Sequence, residues 1–563
     1  MSLDDTGGFL WPGQHVQLFE DEAIYGLIER INSLPGESES NPKEVGSINR
    51  RGQILDIVVQ GTIGLYTTFY HSSRGYGLWV DTTFYGLHDV GALVNDRLRF
   101  VFNTAAGYDP ALTYYIAYGP THDEILDLYT EQTGRPYVPP KWAFKHWRWR
   151  DEHAPVAGDL DGHSINGEVA EDVLMYEDLA FPIGNYMIDR PYTPGAQGFA
   201  EFSWDPVRFP NASDMIDSLV SRGYHLIVWG APWAIGDLPG QNGWEADQFG
   251  YHAPGSDDHI DFTNPDAYDW WKNKLYNWVT ENGIHGWKLD RGDETQPSFW
   301  WNIYHDGRTG AEVRNDYPLL YQRCYFEAMQ EAWGDDFVNK FRAGWNGSQQ
   351  YGVVWAGDTR GHVSGQPTDL GLRSAMIEVL NAAFMGFPIW MSDTGGYQEF
   401  RDREVFARWL EFSAFTPFME IGGQGAHAPW DMPTDPSYDT EMIEIYKTYT
   451  ELHHELVDYL YDLAMTAGES GRAIARALVF DHPDDPAVRE MWDEYMLGPD
   501  ILVAPVWEIG RRERDVYIPD GQFADYWDPD TTITGPATVT ADAPLDRIPL
   551  YIRKGADLFG RTW

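Results

Sequence analysis

The feature that most constrains this chain is a change of texture after "RPYVPP" (135–140). From there, short apolar runs alternate with amphipathic helical stretches over about 280 residues. The runs are KWAFKHWRWR (141–150), IGNYMIDR (183–190), HLIVWGAP (225–232) and GIHGWKLD (283–290), then NKFRAGW (339–345), GVVWAGD (352–358), FPIWMSD (387–393) and TPFMEIGG (416–423). Stretches such as ASDMIDSLVSRG and AYDWWKNKLYNWVTENG separate most of them. Eight strands alternating with helices predict a parallel sheet closed into a (β/α)8 barrel, placed here at 136–470. The link 346–351 is too short for a helix, so the barrel is expected to be irregular there.

The flanks read differently. Residues 1–135 carry β-like runs such as GQILDIVVQG and RLRFVFNT, punctuated by Gly, Asn and Ser, which fits an antiparallel, sandwich-like β domain. A long helix, TEMIEIYKTYTELHHELVDYLYDLAMTAG, closes the barrel region. Residues 471–563 return to β texture (ILVAPVWE, RDVYIPDGQFADYWD, IPLYIRKG), predicting a C-terminal antiparallel β domain.

Charge narrows the function. Asp and Glu total 87 against 40 Lys and Arg, a net charge of −47, and nine of the forty cations are Lys. Such a surface repels nucleic acid and anionic membrane, and neither is expected as a partner. The acidic residues are spread along the chain, a pattern that suits high salt because ions screen the self-repulsion. Cys324 is the single cysteine, which excludes an intramolecular disulfide, and its helical context predicts a buried thiol. With no signal-like start and no apolar run of membrane-spanning length, the expectation is a cytoplasmic protein; a homo-oligomer is left open.

In such a barrel the chemistry sits at the C-terminal ends of the strands. Strand two ends in Asp189, strand four in Asp290, strand six in Asp358 and strand seven in Asp393. One strand-terminal Asp is ordinarily a turn former or helix cap. Four on one rim, flanked by Trp147, Trp149, Trp229, Trp355 and Trp390, point instead to a site. Their spacing of 35 to 101 residues is unlike a calcium loop, so no metal or cofactor is expected. Asp290 and Asp358 fit the paired carboxylates that glycosidic bond cleavage requires. Period-two geometry puts Lys288 on the face of Asp290, where it would favour the ionised carboxylate. Burial of Asp358 behind Trp355 would raise its pKa and suit it to general acid work.

With these residues in place the chain resembles glycoside hydrolase family 31. SSRGYGLWVD, FPIGNYMIDR, GWKLDRGDE, FRAGWNGSQQYGVVWAGD, GFPIWMSDTGGY and MLGPDILVAPVW are similar to the family's motifs and stand in its order. The resemblance implies Asp290 as nucleophile and Asp358 as general acid/base of a retaining α-glycosidase without a cofactor, acting on an oligosaccharide or glycoside. It implies that Asp189, Arg342 and Asp393 line the subsite for the non-reducing sugar; Trp229, Lys288 and Trp355, read from the rim itself, are further candidates for substrate binding. Lys288 and the Asp-X-Gly pattern resemble the α-xylosidase-like branch. Two departures matter. Where many α-glucosidases have Arg-Asn-His after PFM, this chain reads Glu420-Ile421-Gly422, so Glu420 either takes over the missing sugar contacts or caps a loop. Asp293 stands where Glu is commoner. α-Xylosides, α-galactosides and α-glucosides all remain open as substrates.

Overall fold

The computed structural model describes residues 2–3, 9–30, 48–60, 64–104, 112–195, 198–199, 201–293, 301–361, 371–397, 402–424, 427–431 and 439–563. At its centre eight parallel strands run in the order 7-6-5-4-3-2-1-8. They are β1 (Trp147–Arg150), β2 (Asn185–Ile188), β3 (Leu226–Gly230), β4 (Ile284–Leu289), β5 (Val338–Phe341), β6 (Val353–Trp355), β7 (Trp390–Met391) and β8 (Glu420–Ile421). A single parallel bridge, Asp393 to Glu420, joins strands seven and eight and closes the ring. The expected barrel is present.

Strand β1 shows how alternation builds the wall. Trp147 and Trp149 turn inward and are fully buried, whereas Arg148 and Arg150 turn outward beneath the helix Gly167–Asp178. There Asp172 accepts from Arg148 Nη2 at 2.9 Å and from Arg150 Nη2 at 2.6 Å. Burial alone would raise the Asp172 pKa, but the two guanidiniums override it and hold the group at about 2.

Two local readings need correction, and a third, the irregular link 346–351, holds. The run 141–150 is half strand: Lys141–Phe144 forms a 3-10 turn behind Pro140, whose carbonyl accepts from Ala143 N at 2.9 Å. The long helix divides into Thr440–Glu455 and Val457–Ser470 at Leu456, whose N–H reaches back to both Leu452 and His453 carbonyls. The connection 346–351 holds a 3-10 turn, Ser348–Gln350, in place of a barrel helix, as its length requires.

Before the barrel lie two four-stranded antiparallel sheets. One contains Ile24–Ile28, Tyr66–Ser72, Tyr76–Asp81 and Thr113–Tyr118; the other contains Gly13–Gln17, Ile54–Ile57, Gly86–Val90 and Arg97–Phe102. Ile24, Ile28, Leu55, Ile57, Val80 and Phe100 form a core between them, which Ala343 and Trp345 from the barrel also enter. After the barrel a six-stranded antiparallel sheet runs from Ala475–Ala477 to Leu550–Arg553 and includes the long ribbon Glu513–Asp525 with Thr532–Asp542. Cys324 is buried on the helix Tyr317–Trp333, and burial pushes its thiol pKa up. Among the described residues, no helix is long and apolar enough to cross a membrane.

Candidate active site

The strand ends converge as the alternation demands. Asp290 follows β4, and its backbone N–H donates to Gly230 O at 2.9 Å, tying it to the end of β3. Its Oδ2 accepts from the Trp229 indole at 2.9 Å, and its Oδ1 accepts from Arg291 N at 2.7 Å. Arg291 adopts a left-handed φ of 60°, which swings the chain sharply away and turns its N–H back onto the preceding carboxylate. Asp189 repeats this pattern after β2, accepting from Arg190 N at 2.7 Å.

Arg342, just beyond β5, organises the acid cluster. Its Nη1 lies 3.2 Å from Asp290 Oδ1 and 3.3 Å from Asp358 Oδ1. Its Nε is 3.2 and 3.1 Å from the two oxygens of buried Asp293. Burial would raise the Asp290 pKa, yet Arg342 first and Lys288 second hold it below the ordinary carboxylate value. The cation most responsible for ionising Asp290 is therefore Arg342. Lys288 donates instead to Asp189 Oδ2 at 2.8 Å and lies 4.1 Å from the Trp149 ring centre and 4.2 Å from that of Trp355. The expected burial of Asp358 is not met. Its side chain keeps 28% exposure and faces Arg342, because β6 ends before Gly357 and releases it at the rim.

Deeper in the barrel, Asp393 and Glu420 sit at the closing bridge, both fully buried. Glu420 pairs with Lys340 of β5 through one oxygen, so it is neither a loop cap nor a surface group. Among the described residues, its Oε2 and Asp393 Oδ1 have no hydrogen-bond partner. Asp393 Oδ2 accepts from the Trp355 indole at 3.3 Å. Burial, and then the neighbouring Glu420, pushes the Asp393 pKa well up. Gly422 explains the missing histidine locally: a Cβ there would lie 2.3 Å from the Trp149 indole, so the ring occupies the space a side chain would need.

Lys340, Asp151 and Tyr397 belong to the same cluster and were not foreseen. Tyr397 Oη donates to Asp151 Oδ2 at 3.2 Å. Burial, followed by the charge of Asp189, raises Asp151 to about 7. Both acidic and basic signals were available. Asp151 directly follows β1, as the other rim aspartates follow their strands, and Lys340 stands two residues before Arg342 as Lys288 stands before Asp290. Among the described residues, no group of three or more His, Cys, Asp or Glu side chains is arranged to hold a metal ion.

A parallel barrel with two carboxylates bracketing one arginine, in an aromatic pocket at the strand ends, defines a glycosidase-like site. Residues 136–463 match the Glycosyl hydrolases family 31 TIM-barrel domain, and 471–557 match the Glycosyl hydrolase family 31 C-terminal domain. The chain belongs to glycoside hydrolase family 31. It is 27% identical over 531 residues to the isomaltosyltransferase of Sporosarcina globispora, covering 87% of this chain and 47% of that protein. It is 26% identical to the alpha-xylosidase of Saccharolobus solfataricus, covering 97% of this chain and 71% of that one. The glucose-bound GH31 dextranase of Flavobacterium johnsoniae superimposes with a TM-score of 0.83 at 26% identity, covering 97% of this chain and 66% of that chain. This chain thus spans under half the length of the isomaltosyltransferase.

Proposed function

We propose that this chain is a retaining, exo-acting α-glycoside hydrolase that releases a non-reducing terminal α-linked xylose, galactose or glucose. Asp290 attacks the anomeric carbon while Asp358 protonates the leaving oxygen, forming a glycosyl ester on Asp290. Water then enters at the same face, Asp358 takes its proton, and the sugar leaves with its configuration retained. Asp189, Lys288, Trp229, Trp355, Asp393 and Glu420 line the subsite in this reading. The observation that carries it is the shared nitrogen, Arg342 Nη1, at 3.2 Å from Asp290 and 3.3 Å from Asp358. The path between those two oxygens through that nitrogen is no longer than the shortest separation of inverting pairs, about 6.5 Å, and leaves room for the retaining value of about 5–5.5 Å. The depressed Asp290 pKa supports the nucleophile's role.

A second reading is favoured by the likeness to an isomaltosyltransferase: the same glycosyl ester passes to a sugar acceptor instead of water. A non-catalytic carbohydrate-binding role has less support, since both carboxylates stand in place. The test is an assay with the p-nitrophenyl α-glycosides of xylose, galactose and glucose at low and at molar salt, with and without an acceptor sugar. Release of nitrophenol with one sugar, abolished in Asp290→Ala, is expected. Longer saccharides appearing with the acceptor would establish transfer. Silence with all three sugars at both salts overturns the reading.

A further inference from the structure

The N-terminal sheets reach the acid/base loop through two fully buried residues that follow the strand Ile24–Ile28. Glu29 grips the barrel by both its side chain and its backbone. Its Oε1 accepts from the Trp390 indole of β7 at 2.7 Å, and its carbonyl accepts from Asn381 Nδ2 of the helix Leu372–Phe384 at 2.8 Å. Its Oε2 accepts from Leu65 N at 3.1 Å, and Leu65 itself bridges to Gly344 beyond β5. Anchored this way, Arg30 has little freedom. Its Nη2 donates to Ala356 O at 2.8 Å, while its Nε lies 3.6 Å from the buried Glu378 Oε1.

Ala356 is the first residue past β6, and its N–H already donates to Met391 O at 3.0 Å. Arg30 thus takes the carbonyl at the point where the barrel ladder gives out, two residues before Asp358. Gly357 bends there with φ +77°, and a Cβ on it would lie 3.1 Å from Arg30 Nη2 and 3.2 Å from Arg342 Cδ. The peptide leading into Asp358 is therefore clamped between two guanidiniums. One holds the backbone from the N-terminal side, and the other faces the carboxylate.

We propose that Arg30 is a positioning residue for Asp358, so that the N-terminal sheets supply part of the geometry of acid/base catalysis. Arg30 does not reach the reacting atoms; it fixes the Ala356–Gly357 peptide and with it the direction in which Asp358 leaves the barrel. This rests on the assignment of Asp358 proposed above. A carboxyl displaced by about 1 Å loses on the order of 100-fold in proton transfer, but only where the leaving group needs a proton.

The experiment compares Arg30→Met with wild type on two substrates of the preferred sugar: a methyl α-glycoside, whose alkoxide must be protonated, and the α-glycosyl fluoride, whose fluoride departs without general acid assistance. Thermal unfolding of each variant reports folding. The expected result is a kcat/KM, which reports the glycosylation step and not the later hydrolysis of the glycosyl ester, lower by about 30- to 100-fold on the methyl glycoside, against a change within about threefold on the fluoride. Arg30→Lys, which keeps a charge beside Glu378 and one donor toward Ala356, should recover part of the loss. It also serves as the measured variant if Arg30→Met does not fold, with the same split between substrates at smaller amplitude. Equal losses on both substrates, or no loss on either, overturns the role of Arg30. Failure of the wild type to turn over either substrate overturns the proposed function itself, an outcome distinct from equal losses in the variants.

Discussion

Lys288 and Lys340 are register partners on β4 and β5, so two buried ammonium groups stand side by side inside the barrel. Like charges in that relation destabilise a sheet unless each has its own counter-ion. Lys288 has Asp189 and Lys340 has Glu420. The outcome differs between the two. Asp189 and Asp393 outweigh burial and raise Lys288, whereas burial and the nearness of Lys288 leave Lys340 lowered despite Glu420.

The Lys340–Glu420 pair should behave as a unit. Lys340→Met strands a buried carboxylate and should cost about 3–5 kcal/mol, while Lys340→Met with Glu420→Leu should recover most of that loss. Urea unfolding of the two singles and the double measures the coupling. Additive losses would show that the pair is not one electrostatic unit.

Asp172 carries a matching role on the outside of the barrel wall. Asp172→Asn leaves Arg148 and Arg150 without their shared anion and should destabilise by about 3–5 kcal/mol. Because Asp172 is held at about 2, its contribution in the wild type is present at neutral pH and fades as pH falls below the ordinary 3.8 toward 2. A variant whose unfolding midpoint matches wild type at pH 7 would contradict this.

Stability should also fall on the alkaline side. Burial is the first cause that pushes Glu29, Glu411 and Glu494 up to about 8 from an ordinary 4.5. In that window the folded chain keeps protons that the unfolded chain releases, so raising pH favours unfolding. Melting temperatures at pH 5.5, 7 and 8.5, at one fixed salt concentration, should decrease in that order; a flat or rising series refutes the expectation.

Rescue by azide separates the two carboxylates proposed as catalytic. Asp358→Ala should slow cleavage of the better substrate by about 10²–10⁴-fold and yield an α-glycosyl azide when azide is added. Asp290→Ala should yield the β-anomer, because azide then attacks the face the nucleophile has vacated. The same anomer from both variants would reverse or void the assignments.

Salt provides a separate check on the surface. With 87 acidic against 40 basic residues, screening should raise the melting temperature between low and molar salt. No rise would mean that the charge is not a burden the fold needs salt to relieve.

Much of this architecture could be read directly because periodicity reports burial. The alternation in GIHGWKLD placed Lys288 and Asp290 on one face, and there Lys288 meets Asp189 and Asp290 meets Trp229. What the pattern could not carry was which cation meets which anion. Lys288 is nearest Asp290 in sequence, yet the strand twist brings it to Asp189, 99 residues away, and leaves Asp290 to Arg342. The 3-10 turn at Lys141–Phe144 was hidden for a different reason. Its aromatic and aliphatic residues suit a strand, and only the Pro140 carbonyl decides otherwise. Arg30 was invisible for a third reason, since nothing local marks a residue whose partner lies 326 positions downstream.

The single bridge between Asp393 and Glu420 gives the barrel a seam, and the seam carries the floor of the proposed sugar pocket. In the other seven junctions, backbone pairing between named strands holds the wall. Here the last link is flanked by two acids, each with one oxygen left without a partner among the described residues. A hydroxylated guest that reaches both oxygens would act as a rivet across the joint. Occupancy of the pocket and circumferential closure of the ring would then be one event, felt first in the backbone amides of Thr394 and its neighbours.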